Sequence, residues 1–148
     1  RYGEILALGG VALRPGVADL IRTARDHDLA LAIATTTNRP NVDALAMACW
    51  NQPAAQVFDV IAAGDEVAAK KPAPDVFLLA LQGLAIPPDQ ALAFEDSRNG
   101  LKSARAAGLR VVITPSLYTQ AEEFSGADLI VPDLTDASFA ARFAQWLA

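Results

Sequence analysis

The sequence predicts an α/β domain with a mostly parallel sheet covered by helices on both faces. Three observations predict it. From residue 17 onward, short apolar runs alternate with segments of helical apolar spacing. Several runs are continuously apolar, as strands buried on both faces are. Successive runs also end in polar residues: Thr35-Thr36-Thr37-Asn38, then Gly64-Asp65 with Lys70-Lys71-Pro72 beyond, then Glu95-Asp96. An apolar strand cannot readily bury a carboxylate at its tip, so these ends face an open edge. In open α/β sheets, ligands bind at the carboxyl ends of the strands.

The elements follow in order. Tyr2, Ile5, Leu6 and Leu8 read as a partial helix broken by Gly9-Gly10. Arg14-Pro15-Gly16 marks a turn. Val17, Leu20, Ile21 and Ala24 share a helical face, and that helix frays at Asp26-His27-Asp28. Residues 29–34 form the first buried strand. Pro40 suits a first helical turn, with Val42, Leu45, Ala46 and Cys49 on one face. Residues 57–63 are the second strand and 64–71 a loop. Pro72 and Pro74 open the next helix, whose face is Val76, Phe77, Leu79, Ala80 and Leu84. Residues 91–94 are the third strand and 99–107 its helix, stopped by Gly108. Residues 110–114 are the fourth strand. A loop over 116–126 holds a helical turn around 121–124. Residues 128–131 are a short fifth strand, and Phe139, Phe143, Trp146 and Leu147 line a last helix.

Composition narrows the function. The 148 residues are 53% hydrophobic and 20% charged, which suits one folded domain and excludes disorder. The formal net charge of −5 argues against general nucleic-acid binding, which needs a basic face. No run has the length of an uncharged membrane span, and no signal peptide is visible. Cys49 is the only cysteine, so no intrachain disulfide forms, and a cytoplasmic, reducing location fits.

The three polar ends suit phosphoryl transfer, which needs charge neutralisation and positioning more than covalent chemistry. Thr35 lies between a strand and a helix, where its hydroxyl and neighbouring N–H groups can hold a phosphate oxygen. Lys71 can place an ammonium on the same group. Glu95 and Asp96 offer the hard oxygens that Mg²⁺ prefers. Each has a plainer reading. A threonine at a strand end caps the next helix, and an acidic residue at a helix start favours the dipole. That explains one carboxylate better than two. Asp26-His27-Asp28 also spells Asp-x-Asp, but it precedes a strand and so sits at the opposite edge.

The set Thr35, Lys71-Pro72-Ala73-Pro74-Asp75 and Glu95-Asp96-Ser97-Arg98-Asn99-Gly100 resembles, in that order, the haloacid dehalogenase superfamily of phosphatases and mutases. The likeness runs from Arg14 through nearly the whole chain. It looks closest to the CbbY-type sugar-phosphate phosphatases of the β-phosphoglucomutase-like subgroup, in residues 32–37, 69–75 and 112–119. The resemblance implies a Rossmannoid three-layer core and Mg²⁺-dependent hydrolysis of a small phosphosugar, with xylulose-1,5-bisphosphate the substrate of the CbbY type. It implies that Thr35 binds phosphate and Lys71 steadies the transferred phosphoryl group. Asp96 matches the Mg²⁺ ligand, with Glu95 its acidic companion. Thr36, Thr37, Arg39, Arg98 and Asn99 become candidate substrate contacts.

One departure is large. The family's central strand ends in an Asp-x-Asp motif that carries the nucleophile and belongs upstream of every element here. Residues 1–13 are read as the end of a helical cap, and 14–148 as an incomplete core. The missing strand is expected in a preceding segment of the same protein, so the chain alone is expected to be inactive. The sheet is expected to keep a vacant slot between residues 29–34 and 91–94, rather than closing up or admitting a strand from another chain. The alternative is a phosphate-binding or regulatory module without catalysis.

Overall fold

A computed structural model describes the backbone of residues 5–8 and the whole of residues 14–148. One parallel sheet carries the strands β1 (Ile5–Leu8), β2 (Ala30–Ala34), β3 (Val60–Ala62), β4 (Ala91–Glu95), β5 (Arg110–Ile113) and β6 (Leu129–Ile130). Their order across the sheet is β3-β2-β1-β4-β5-β6. The helices are α1 (Val17–Asp26), α2 (Arg39–Trp50), α3 (Ala54–Val57), α4 (Asp75–Leu84), α5 (Arg98–Ala106) and α6 (Ala137–Leu147).

Side chains alternate along β2, β4 and β5 and divide the core into two layers. Leu31, Leu92, Phe94 and Val112 face α1, α2 and α6, where Leu20, Val42, Phe139 and Phe143 are buried. Ala32, Ala34, Ala62 and Ala93 face α4 and α5, against Phe77, Ala80, Leu101 and Ala104. Alanines on this second face let the chain around Lys71 approach the sheet closely. Glu95 continues the odd-numbered series of β4 and therefore points into the same layer. Asp26 ends α1, and Asp28 is left-handed at φ 56° just before β2, so Asp26-His27-Asp28 does lie at the amino edge.

Four expectations are corrected. Residues 5–8, read as part of a helix, form a strand. The slot expected to stand vacant is filled by that strand, which pairs in parallel with β2 (Ile5 opposite Ala30) and β4 (Ile5 opposite Ala91). Two flanking strands with unpaired edges are costly, and an adjacent apolar segment of the same chain satisfies both. The other residues of the segment read as a cap remnant, 1–4 and 9–13, lie outside the described residues. The second strand is shorter than the apolar run that suggested it, because Val57 closes the one-turn α3 and its carbonyl accepts from Arg25. The helical turn expected around 121–124 is absent; residues 117–121 turn without forming a helix. Among the described residues no helix is long and apolar enough to cross a membrane.

Candidate active site

The site lies at the carboxyl edge, across the ends of β2, β1 and β4. The described part of β1 ends at Leu8, opposite Ile33 and Phe94, and β2 and β4 each step one residue beyond that point, to Ala34 and Glu95. Lys71 spans this step. Its Nζ donates to the Ala34 carbonyl at 3.1 Å and to Glu95 Oε1 in a short ion pair, and it lies 4.9 Å from the centre of the Phe77 ring. The side chains of the pair are 8% and 2% exposed. One ammonium thus ties the residue before Thr35 to the residue before Asp96.

Glu95 packs under the first turn of α5. A Cβ on Gly100 would fall 2.0 Å from Glu95 Oε2, so only glycine lets that carboxylate lie there. The glycine three residues after Ser97 is therefore a packing requirement of the buried pair. Burial pushes the Glu95 carboxyl up to about 7, against the opposing pull of Lys71. Asp96 is half-buried; burial also raises its carboxyl, again with Lys71 opposing. Glu95, expected as a companion metal ligand, spends its carboxylate on Lys71. Asp96 makes no hydrogen bond with a side chain through its carboxylate among the described residues.

Thr35 follows β2 directly. Its Oγ1 accepts from the Thr37 N–H at 3.2 Å, and Thr37 Oγ1 accepts from Asn41 Nδ2 at 3.1 Å. Asn38 caps α2 by accepting from Asn41 N at 2.9 Å. The loop after β3 presses against this turn at Gly64, where a Cβ would lie 2.0 Å from the Thr36 carbonyl oxygen. Arg39 is partly exposed and 3.6 Å from Glu66, which also accepts the Ala63 N–H. Arg98 and Asn99 are exposed on the first turn of α5, and the Arg98 N–H goes to Glu122 Oε1 at 2.7 Å. The structure thus joins Lys71 and Glu95 by direct contact. Thr35 and Asp96 are next to the residues that Lys71 bonds. Arg39, Arg98 and Asn99 stand at the rim.

Sequence reasoning missed the support behind Asp96. Thr119 Oγ1 donates to the Asp96 carbonyl at 2.6 Å. Arg14 donates to the carbonyls of Thr114, Pro115 and Pro132 and to Thr114 Oγ1, bracing the root of that loop. No local pattern announces either residue, since the partners of Arg14 lie 100 and more positions away.

The family profile of haloacid dehalogenase-like hydrolases matches residues 1–108. The chain belongs to the haloacid dehalogenase-like hydrolases. It is 64% identical over 138 residues to protein CbbY of Rhodobacter capsulatus, covering 93% of this chain and 61% of that one. It is 52% identical to protein CbbY of Cereibacter sphaeroides, covering 92% of this chain and 59% of the other. The crystal structure of CbbY from Rhodobacter sphaeroides in complex with phosphate superposes with a TM-score of 0.82 at 54% identity, covering 83% of this chain and 55% of that chain. A mutant of that protein has been solved in complex with xylulose-(1,5)bisphosphate. The chain therefore spans about three-fifths of the length of the curated relatives it matches. The central strand of this hydrolase core is β1, and its residues Ile5-Leu6-Ala7-Leu8 include no carboxylate, so the nucleophile-bearing strand of the family is missing from this chain.

Proposed function

We propose that the chain is the core portion of a Mg²⁺-dependent phosphatase for small phosphosugars of the xylulose-1,5-bisphosphate class, acting through an aspartyl-phosphate whose nucleophile is carried outside these 148 residues. The observation that carries this is the Lys71 bridge between the ends of β2 and β4. It holds one cation beside a threonine turn and an open carboxylate at a single sheet edge, in a family of hydrolases. The match to a protein solved with a phosphosugar supports the substrate class.

The geometry supports a role for each residue. Thr35 offers its hydroxyl to a phosphate oxygen, and Thr36 and Thr37 add hydroxyl or backbone contacts. Lys71 keeps two of its N–H groups on Ala34 and Glu95 and has its third for the transferred phosphoryl group. Glu95 serves as the buried anchor that orients Lys71. Arg39, Arg98 and Asn99 are placed to meet the rest of the substrate. The residues fit Mg²⁺ as a partial site: Asp96 supplies one open hard oxygen, and Mg²⁺ is commonly held by one or two carboxylates with water and phosphate completing the shell. When bound, the ion would offset the negative charge of phosphate beside the carboxylates.

The test is binding and turnover by the purified 148-residue chain. With Mg²⁺ and xylulose-1,5-bisphosphate, the backbone resonances of Thr35, Lys71 and Asp96 are expected to shift together, and Lys71→Ala to abolish the response. Phosphate release is expected to be absent. Turnover that Asp96→Asn removes would overturn the placement of the nucleophile outside the chain, and shifts confined to another surface would overturn the site.

A further inference from the structure

We infer that Thr119 is a positioning residue for Asp96: its hydroxyl holds the backbone from which that carboxylate reaches toward the cation of the proposed phosphatase. The inference rests on that reading of Asp96.

Asp96 lies in a one-residue gap between two regular elements. β4 ends at Glu95, and Ser97 is already the cap of α5, its Oγ accepting from Gly100 N at 3.0 Å. Neither element's own ladder fixes the Asp96 carbonyl. That oxygen instead accepts from Thr119 Oγ1 at 2.6 Å, across 23 positions of sequence. A carbonyl oxygen only accepts, so Thr119 is the donor, and its one proton goes to Asp96 in preference to the Ser116 carbonyl 3.5 Å away. Thr119 Oγ1 accepts from the Ser116 N–H at 2.8 Å, and a hydroxyl has only one proton to give. Ser116 Oγ, 3.0 Å away, accepts from the Tyr118 N–H and can donate its own proton to Thr119. The relay thus runs from Ser116 through Thr119 to Asp96.

The loop that supplies Thr119 is held by polar bonds. Leu117 and Tyr118 are 84% and 95% exposed, so burial does not anchor this turn. Its root is tied by Arg14, and further along Glu122 takes the Arg98 N–H of α5. Asp96 therefore sits between two struts from one loop, and only the Thr119 strut acts on its own backbone. Without that bond no hydrogen bond among the described residues fixes the Asp96 carbonyl, and the carboxylate swings with its own backbone.

The experiment uses the isotopically labelled 148-residue chain as wild type, Thr119→Val and Thr119→Ser, titrated with Mn²⁺ alone. Three quantities are read: paramagnetic broadening of the Asp96 and Ser97 amides, the carbonyl carbon shift of Asp96, and the melting temperature. In Thr119→Val the carbonyl shift is expected to move, and the Mn²⁺ concentration for half-broadening to rise about fivefold, the size expected for one neutral hydrogen bond. Thr119→Ser is expected to restore both. A merely structural threonine would lower the melting temperature and leave the titration in place. Should Thr119→Val fail to fold, Thr119→Ala, which admits water beside the carbonyl, is titrated in its place. Equal broadening in wild type and in the hydroxyl-less variant overturns the inference and leaves the cation site standing. No broadening at Asp96 in wild type overturns the cation reading, and the inference with it.

Discussion

The two walls of the site are built on opposite principles. The wall from β4 is buried and charged: Lys71 and Glu95 are paired inside the layer beneath α4 and α5, and Gly100 seals them. The wall from β2 is open and neutral: Thr36 is exposed, Thr35 and Thr37 are partly exposed, and the hydroxyls of Thr35 and Thr37 bond only to near neighbours in sequence. A buried charge has one permitted place, because leaving it unpaired is costly. A partly solvated hydroxyl can exchange water for a ligand oxygen at little cost. In the proposed site the buried pair positions, while the threonine hydroxyls and the half-buried Asp96 beside that pair are what a ligand would meet.

Breaking the buried wall should have the largest effect. Lys71→Met leaves Glu95 unpaired in the interior and is expected to cost about 3–5 kcal/mol of stability at pH 8. The same variant should lose much less at pH 5, where the Glu95 carboxyl, already pushed up to about 7, takes a proton. Urea unfolding at the two pH values measures this; equal losses would show that Glu95 is not the group left behind.

Titration sharpens the contrast next. The folded-state value of Glu95 is raised, from 4.5 to about 7, so the native chain binds the extra proton. Its contribution to stability is fully present below pH 4.5 and is lost as pH rises through 7, to a total of about 3 kcal/mol. Glu95→Gln should remove that slope, as read by the unfolding free energy at closely spaced pH values. The threonine wall has no titrating group and should add no slope of its own.

Gly100→Ala comes third. The added methyl would meet Glu95 Oε2 and drive the carboxylate from Lys71, an overpacking of about 1–3 kcal/mol, partly offset by better helix propensity of up to about 1 kcal/mol. Thermal unfolding measures it. A stabilised variant would mean that the carboxylate has room to move.

The open wall should give the smallest change in stability. Thr35→Val removes one bond to the Thr37 N–H and is expected to cost about 1 kcal/mol or less. Its effect on binding should be larger, with the phosphosugar response at residues 35–37 lost while the fold is retained. A large loss of stability with binding unchanged would reverse the roles of the two walls.

Much of this was legible in the order of residues. Alternating apolar runs and helical stripes specify a parallel sheet through burial alone, which needs only local pattern. The turn from an apolar run to Thr35, or to Glu95-Asp96, marks the carboxyl edge for the same reason. What remained hidden depends on partners far along the chain. Adjacent carboxylates look alike in sequence, yet the pleat sends Glu95 inward to Lys71, 24 positions away, and leaves Asp96 half-buried in the turn. Ile5 to Leu8 have no strand signature strong enough to stand alone; two waiting edges, β2 and β4, make them a strand. Thr119 reads as one more loop threonine until the fold carries it to the Asp96 carbonyl. Local pattern was enough to say which residues had to be buried and where the sheet would open. Tertiary structure decided which polar atoms met, because a hydrogen bond needs its partner within about 3 Å and that distance is set by packing.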